Sequence, residues 1–199
     1  MFKRRRKLSI SAKMREFLWP RAGWRRSASY VFHRMVRLPG TPYSLAAGFA
    51  CGAAVSFTPF VGLHFVLAAI LAMIIRANFL SSAIGTAVGN PWSFPFIWIW
   101  VHKVGLWMGA GSPENITKSI DFISIFGTMM EAFLRLDMAY LLQVAWPVWW
   151  PMFVGSIPTG ILVWLAFYLP LKPMVNSYQV SRDRRRESKC LRAKQDAKP

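Results

Sequence analysis

The sequence predicts an all-α integral membrane protein: helical hairpins broken at Pro/Gly turns, partly re-entrant, plus an interfacial amphipathic helix. Three observations lead there. First, 54% of the 199 residues are hydrophobic and only 17% are charged, which is not the balance of a water-soluble domain. Second, the formal net charge of +17 lies at the two ends. Residues 1–37 carry 12 Lys/Arg against one acid, residues 38–171 carry four against four, and residues 172–199 carry nine against three, so the charge divides as +11, 0 and +6. Third, the centre contains three uncharged stretches, Leu38 to Ile75 (38 residues), Ala77 to His102 (26) and Met138 to Leu171 (34), each long enough to enter a hydrocarbon core about 30 Å thick. This distribution excludes a soluble enzyme and a fibrous protein. It also excludes nucleic acid as a partner, because the centre offers no cationic face to a phosphate backbone.

Three regions follow: a basic cytoplasmic or interfacial arm over 1–41, a membrane domain over 42–171, and a basic, partly disordered cytoplasmic tail over 172–199. The arm has no continuous apolar core before a small-residue cleavage site, so it is expected to remain attached and not to act as a secretory signal. Its run Lys3-Arg4-Arg5-Arg6-Lys7, followed by Phe17, Trp19, Trp24, Tyr30 and Phe32, fits a cationic segment with aromatic anchors. Anionic lipid head groups attract such a segment by about 1 kcal/mol per basic side chain.

Each apolar stretch contains helix breakers. Thr58-Pro59 and Gly62 interrupt the first, Asn90-Pro91 and Pro95 the second, and Pro147, Pro151 and Pro158 the third. The residue before a proline is pushed out of helical geometry, so each point predicts a kink or turn. Retention of Lys and Arg near span ends in the cytoplasm places both termini there, and in the simplest solution Arg76 and Lys103 as well. Each stretch is then a hairpin, and the second, with arms of roughly 13 residues at 1.5 Å each, is too short to cross and is re-entrant. The competing solution is four full spans with Gly111 to Asp137 outside. That segment reads as an interfacial amphipathic helix, N-capped at Ser112, with Pro113 and Glu114 opening it.

Chemistry inside the apolar part would need polar groups at depth. Thr58, His64, Arg76, Asn78 and Asn90 supply them and are the candidate ligand-contacting residues, with Pro59, Gly62, Gly85 and Pro91 as the breaks that position them. No Asp or Glu lies in any of the three stretches. Acid/base hydrolysis by paired carboxylates and a Ser-His-Asp triad therefore lack their acid. Cys51 and Cys190 form neither a disulfide framework nor a metal cluster; no cofactor and no metal are expected. Small residues precede both breaks, in Gly52-Ala53-Ala54-Val55 and Gly85-Thr86-Ala87-Val88, which predicts close helix approach and a meeting of the two breaks.

The run Gly48-Phe49-Ala50, Phe57-Thr58-Pro59-Phe60-Val61-Gly62-Leu63-His64, Arg76-Ala77-Asn78, Gly85-Thr86 and Asn90-Pro91 resembles the bacterial membrane family known as domain of unknown function 2062, over approximately Pro42 to Tyr168. Trp92-Ser93-Phe94-Pro95 departs from that family's commoner Asn-Pro-Leu-Thr pattern. The resemblance implies a multi-pass protein of the bacterial inner membrane and assigns no activity. Two functions are then in view. The broken hairpins enclose a pocket in which His64, Arg76, Asn78 and Asn90 bind or move an anionic lipid or lipid-linked phosphate. Alternatively, the chain is a non-catalytic membrane scaffold that recruits partners through its basic tails. Membrane lipids are the expected partners, and a homo-oligomer is compatible with both.

Overall fold

The computed structural model describes residues 24–60, 62–90, 93–111 and 138–196. The Lys3 to Lys7 run, Pro91, Trp92 and the amphipathic segment from Ser112 to Asp137 lie outside the described residues. Among those described there is no strand, and the elements are α1 (Trp24–Val36), α2 (Pro42–Val55), α3 (His64–Ile74), α4 (Phe79–Gly85) with a 3₁₀ turn over Thr86–Val88, α5 (Phe94–Trp107) and α6 (Met138–Asp196). The all-α expectation holds. The chain separates into two units, Met1–Leu38 and Pro39–Pro199; α1 belongs to the first, and everything below concerns the second.

α2 is the central helix. Thr41 caps it by accepting a hydrogen bond from the Ser44 amide (3.1 Å), and Pro42 opens it, the position where a missing N–H costs nothing. From Leu45 to Val55 its residues are buried apart from Phe49, and most are Ala or Gly. Small side chains let neighbouring backbones come close. A Cβ on Gly52 would overlap the Ser82 carbonyl oxygen, and one on Gly85 the Phe49 carbonyl oxygen. The close approach predicted from these two glycines is therefore real, and it joins α2 to α4. A second such contact joins α5 to α6, where a Cβ on Gly105 would overlap the Pro151 carbonyl oxygen and one on Gly155 that of Val101.

α6 corrects the sequence reading. The stretch from Met138 to Leu171 was expected to fold back at its prolines, yet a single helix of 59 residues runs through Pro147, Pro151, Pro158, Pro170 and Pro173. A proline removes one hydrogen bond and bends a helix without reversing it. Around Pro158, hydroxyls add bonds to the helix backbone: Ser156 donates to the Phe153 carbonyl (2.7 Å) and Thr159 to the Gly155 carbonyl (2.8 Å). The helix continues to Asp196, so most of the tail expected to be partly disordered is helical. Within α6, Ala145–Arg185 is the one described helix long and apolar enough to cross a membrane; Pro42–Val55, His64–Ile74 and Phe79–Val88 are shorter apolar helices.

α6 runs antiparallel to α2 and serves as a ruler for the other elements. Its Gln179 side chain donates to the Gly40 carbonyl (3.0 Å), Tyr168 meets Tyr43, Phe167 meets Phe49, and Trp149 and Phe153 meet Phe60. On the same ruler α5 lies with Val101 opposite Gly155 and Gly105 opposite Pro151. Thus α2 and α3 form a hairpin whose two ends lie at the Tyr168 level, whereas α4 and α5 together pass from that level to the Pro151 level.

Candidate functional site

The two breaks meet. At the end of α2 the Ser56 hydroxyl lies within hydrogen-bond distance of the Gly52 carbonyl (3.0 Å) and of that of Thr86 (3.3 Å), just before the second break, and a Cβ on Gly89 would press on both Ser56 and Phe94. His64, 8% exposed, stacks on Phe94 with ring centroids 5.6 Å apart, and Phe94 stacks on Trp98 at 5.7 Å. The meeting of the breaks expected from the small-residue echo is thus a property of the fold.

Thr58, His64, Asn90 and Ser93 at this junction are engaged by backbone. Thr58 Oγ1 donates to the Val55 carbonyl (2.7 Å), while the Thr58 carbonyl takes a hydrogen bond of 3.3 Å from His64 Nε2. A carbonyl only accepts, so Nε2 carries the proton in that bond. Asn90 Oδ1 accepts from the Ser93 amide (3.0 Å), and Ser93 Oγ donates to the Val88 carbonyl (2.8 Å). Buried backbone groups freed by a break cost free energy unless paired, and these side chains pair them. Half-buried Pro59 sits inside this turn; Gly62 beyond it holds φ 85°, a left-handed conformation, with open space around its α-carbon.

Arg76 and Asn78 lie elsewhere. The Asn78 amide donates to the Ser44 carbonyl (2.9 Å), its Oδ1 caps α4 by accepting from the Ser81 amide (2.9 Å), and its Nδ2 donates to the Pro39 carbonyl (2.9 Å). These contacts are at the start of α2, whereas the junction is at its end, roughly 18 Å away at 1.5 Å per residue. The five sequence candidates therefore form two groups, Thr58, His64 and Asn90 at the junction and Arg76 with Asn78 at the opposite end of α2. No single pocket gathers all of them.

Arg76 ends α3 in a Schellman motif. Its amide donates to the Met73 carbonyl (3.1 Å), the Ala77 amide donates to that of Ala72 (2.7 Å), and Arg76 takes φ 53°, a conformation usually given to glycine. Its side chain is exposed. Beside it, the Tyr43 hydroxyl donates to the Ile75 carbonyl (3.0 Å) and its ring packs edge-on against Tyr168 at 6.1 Å. Lys172 Nζ then lies 5.5 Å from the centre of the Tyr168 ring, within cation–π range.

At the other end of the α5/α6 pair a cleft of about 370 Å³ is lined by Gly109–Gly111, Trp146, Pro147, Trp150 and Pro151. None of the sequence candidates reaches it. Two groups missed from the sequence lie on α5: His102, 3% exposed, and Trp98, whose buried Nε1–H finds no acceptor among the described residues. The succession Phe94, Trp98, His102 at i, i+4 and i+8 was the available signal. Among the described residues no group of three or more His, Cys, Asp or Glu side chains could hold a metal ion.

Residues 25–184 match a family described as an uncharacterized protein conserved in bacteria, DUF2062. The chain belongs to that family. No curated protein and no solved structure matches it. Membership extends the earlier likeness from residues 42–168 into α1 at one end and the basic part of α6 at the other.

Proposed function

We propose that this chain is a multi-pass protein of the bacterial inner membrane which binds an anionic lipid or lipid-linked phosphate, both of its ends lying in the cytoplasm. One observation carries the reading: bulky apolar side chains stand exposed between two separated cationic levels. α3 buries only the stripe His64, Ala68 and Ala72, one residue per turn, while Phe65 is 63% and Ile74 72% exposed. Ile157, Ile161, Leu162, Leu165 and Leu169 on α6 are also exposed. Water disfavours such a surface, and lipid does not.

The placement of the charges favours, as in the four-span solution, a position of Lys103 on the side opposite to Arg76, with α2 and α3, 14 and 11 residues long, as a re-entrant hairpin. Arg76 lies at the Tyr168 level and Lys103, between Val101 and Gly105 on α5, at the Phe153 level. The interval on α6 is roughly 20 Å at 1.5 Å per residue, comparable to a large part of a hydrocarbon core. On this reading Arg76 and Lys103 lie on opposite faces, in place of the shared cytoplasmic face of the simplest solution. In the arrangement we favour, α2 and α3 leave from and return to the cytoplasmic face, α4 and α5 make one broken pass, and α6 returns. Gly111 to Asp137 is then outside.

The same geometry moves the ligand contact. His64, Thr58 and Asn90 hold the break junction together, and Asn78 is consumed as a cap and a bridge. Arg76 is the candidate whose charge has no ion-pair partner among the described residues. The scaffold reading is supported by a different observation, the continuation of α6 as an exposed basic helix beyond Lys172.

Membrane-impermeant thiol labelling of intact cells tests the arrangement, in a chain with Cys51 and Cys190 replaced by Ser. Lys103→Cys is expected to react from outside and Arg76→Cys only after permeabilisation. Equal protection of both positions would restore the three-hairpin solution.

A further inference from the structure

We infer that Arg76 and Lys172, linked through the Tyr43–Tyr168 pair, form a binding site for the phosphate of an anionic lipid head group at the cytoplasmic end of the helices. This rests on the membrane reading above and deepens it by naming the side chains that would take the head group. Lys172, Tyr43 and Tyr168 were not among the sequence candidates.

Four features converge here. The Tyr43 hydroxyl ties its own ring to the turn that carries Arg76, through the Ile75 carbonyl at 3.0 Å. Tyr168 sits edge-on to Tyr43 and face-stacked on Trp164 with centroids 4.6 Å apart, so its position is fixed from two sides. Lys172 extends over the Tyr168 ring at 5.5 Å. Both cations are exposed at the level that the Tyr43–Tyr168 pair marks, and a planar guanidinium and a compact ammonium both suit the oxygens of a phosphate.

The backbone provides an independent argument. A non-glycine residue at φ 53° is held against a steric preference, which costs about 1 kcal/mol or more. Glycine would occupy the same position in the motif without strain, as Gly109 does at φ 84° at the end of α5. Retaining arginine there fixes a cation at a rigid helix end, and strain of this kind marks a position whose side chain has a use.

The surroundings select an amphiphile over a free anion. Met73 (65% exposed), Ile74 (72%) and Leu169 (62%) adjoin the cations in sequence. Their outward apolar surface gives an acyl chain somewhere to lie while the phosphate meets Arg76 and Lys172. Tyrosines at this level suit the boundary between hydrocarbon and head groups.

The test uses the full chain reconstituted in phosphatidylcholine vesicles carrying a small fraction of spin-labelled phosphatidylglycerol or, separately, spin-labelled phosphatidylcholine. Protein-restricted lipid is read by electron paramagnetic resonance. Salt at about 0.5 M shortens the Debye length to roughly 4 Å and suppresses loose attraction to the basic ends. The wild type is expected to select phosphatidylglycerol at least twofold. Arg76→Asn, which tolerates the left-handed backbone, and Lys172→Gln should each lower the selection, and the pair should bring it to parity. Lys103→Gln should leave it unchanged. Wild-type selection in the double variant, or in Lys172→Gln alone should the double variant fail to fold, would overturn the proposal. Loss of wild-type selection on adding inorganic phosphate at tens of millimolar would also overturn it, by making the ligand a free anion. Thiol labelling at positions 76 and 103 reads the topology independently, so failure of the membrane arrangement and failure of the head-group site are distinguishable.

Discussion

α3 and α5 end in the same backbone motif with opposite choices of residue. At the end of α5 the Gly109 amide donates to the Leu106 carbonyl (2.9 Å) and the Ala110 amide to that of Gly105 (3.0 Å), with glycine in the left-handed position. At the end of α3 the same two bonds form around Arg76. Geometry alone explains glycine, and it does not explain arginine. The difference separates positions that serve chain reversal from one that also presents a charge.

The contact beneath each cap is the strongest place to break the comparison. Gly105→Ala forces apart α5 and α6 just before the Gly109 cap, and Gly48→Ala forces α2 from the Asn78 carbonyl just after the Arg76 cap. Each is expected to lower stability by about 2–3 kcal/mol, the range for overpacking where backbone must move, read as loss of folded protein during thermal unfolding in detergent. Asn78→Ala comes next. It removes the α4 cap and the bond to the Pro39 carbonyl two residues beyond the Arg76 turn, at a cost of about 1–2 kcal/mol in the same assay.

Exchanging the two residues sharpens the comparison. Gly109→Arg copies the α3 cap onto α5 and should destabilise by about 1 kcal/mol, the penalty of a side chain in left-handed geometry. Arg76→Gly has the smallest stability effect, a gain of up to about 1 kcal/mol, yet it should abolish most of the preference for spin-labelled phosphatidylglycerol. A more stable protein with lost lipid selection would separate the charge from the turn. A less stable protein with intact selection would show that Arg76 is structural.

Much of this was legible in the residues. The breaks at Thr58-Pro59 and Asn90-Pro91 follow from local backbone chemistry, and the close approach at Gly52 and Gly85 follows from side-chain size. The fate of the prolines in α6 was not legible, because a proline can bend a helix or end it, and the choice depends on packing such as that of Gly105 on Pro151. His64 was legible as a polar group at depth, but its partner, the Thr58 carbonyl, depends on how the turn closes. The separation of Arg76 from the break depended on the direction of α2, information that local spacing does not contain. Lys172 was counted with the tail because charge defined that boundary, whereas the helix on which it stands begins far upstream.

The length of α6 changes what its basic end can reach. From Lys172 to Asp196 a straight helix extends roughly 36 Å at 1.5 Å per residue, and Val175 and the Gln179 bond to Gly40 hold its first turns against the rest of the unit. In the proposed orientation, Arg182 to Arg186 stand roughly 15–20 Å past Lys172. Physiological salt screens charge over about 8 Å. A flexible tail of identical composition would settle on anionic lipid, whereas in that orientation a rod of this length would hold Arg182 to Arg185 beyond the screened reach of the head groups.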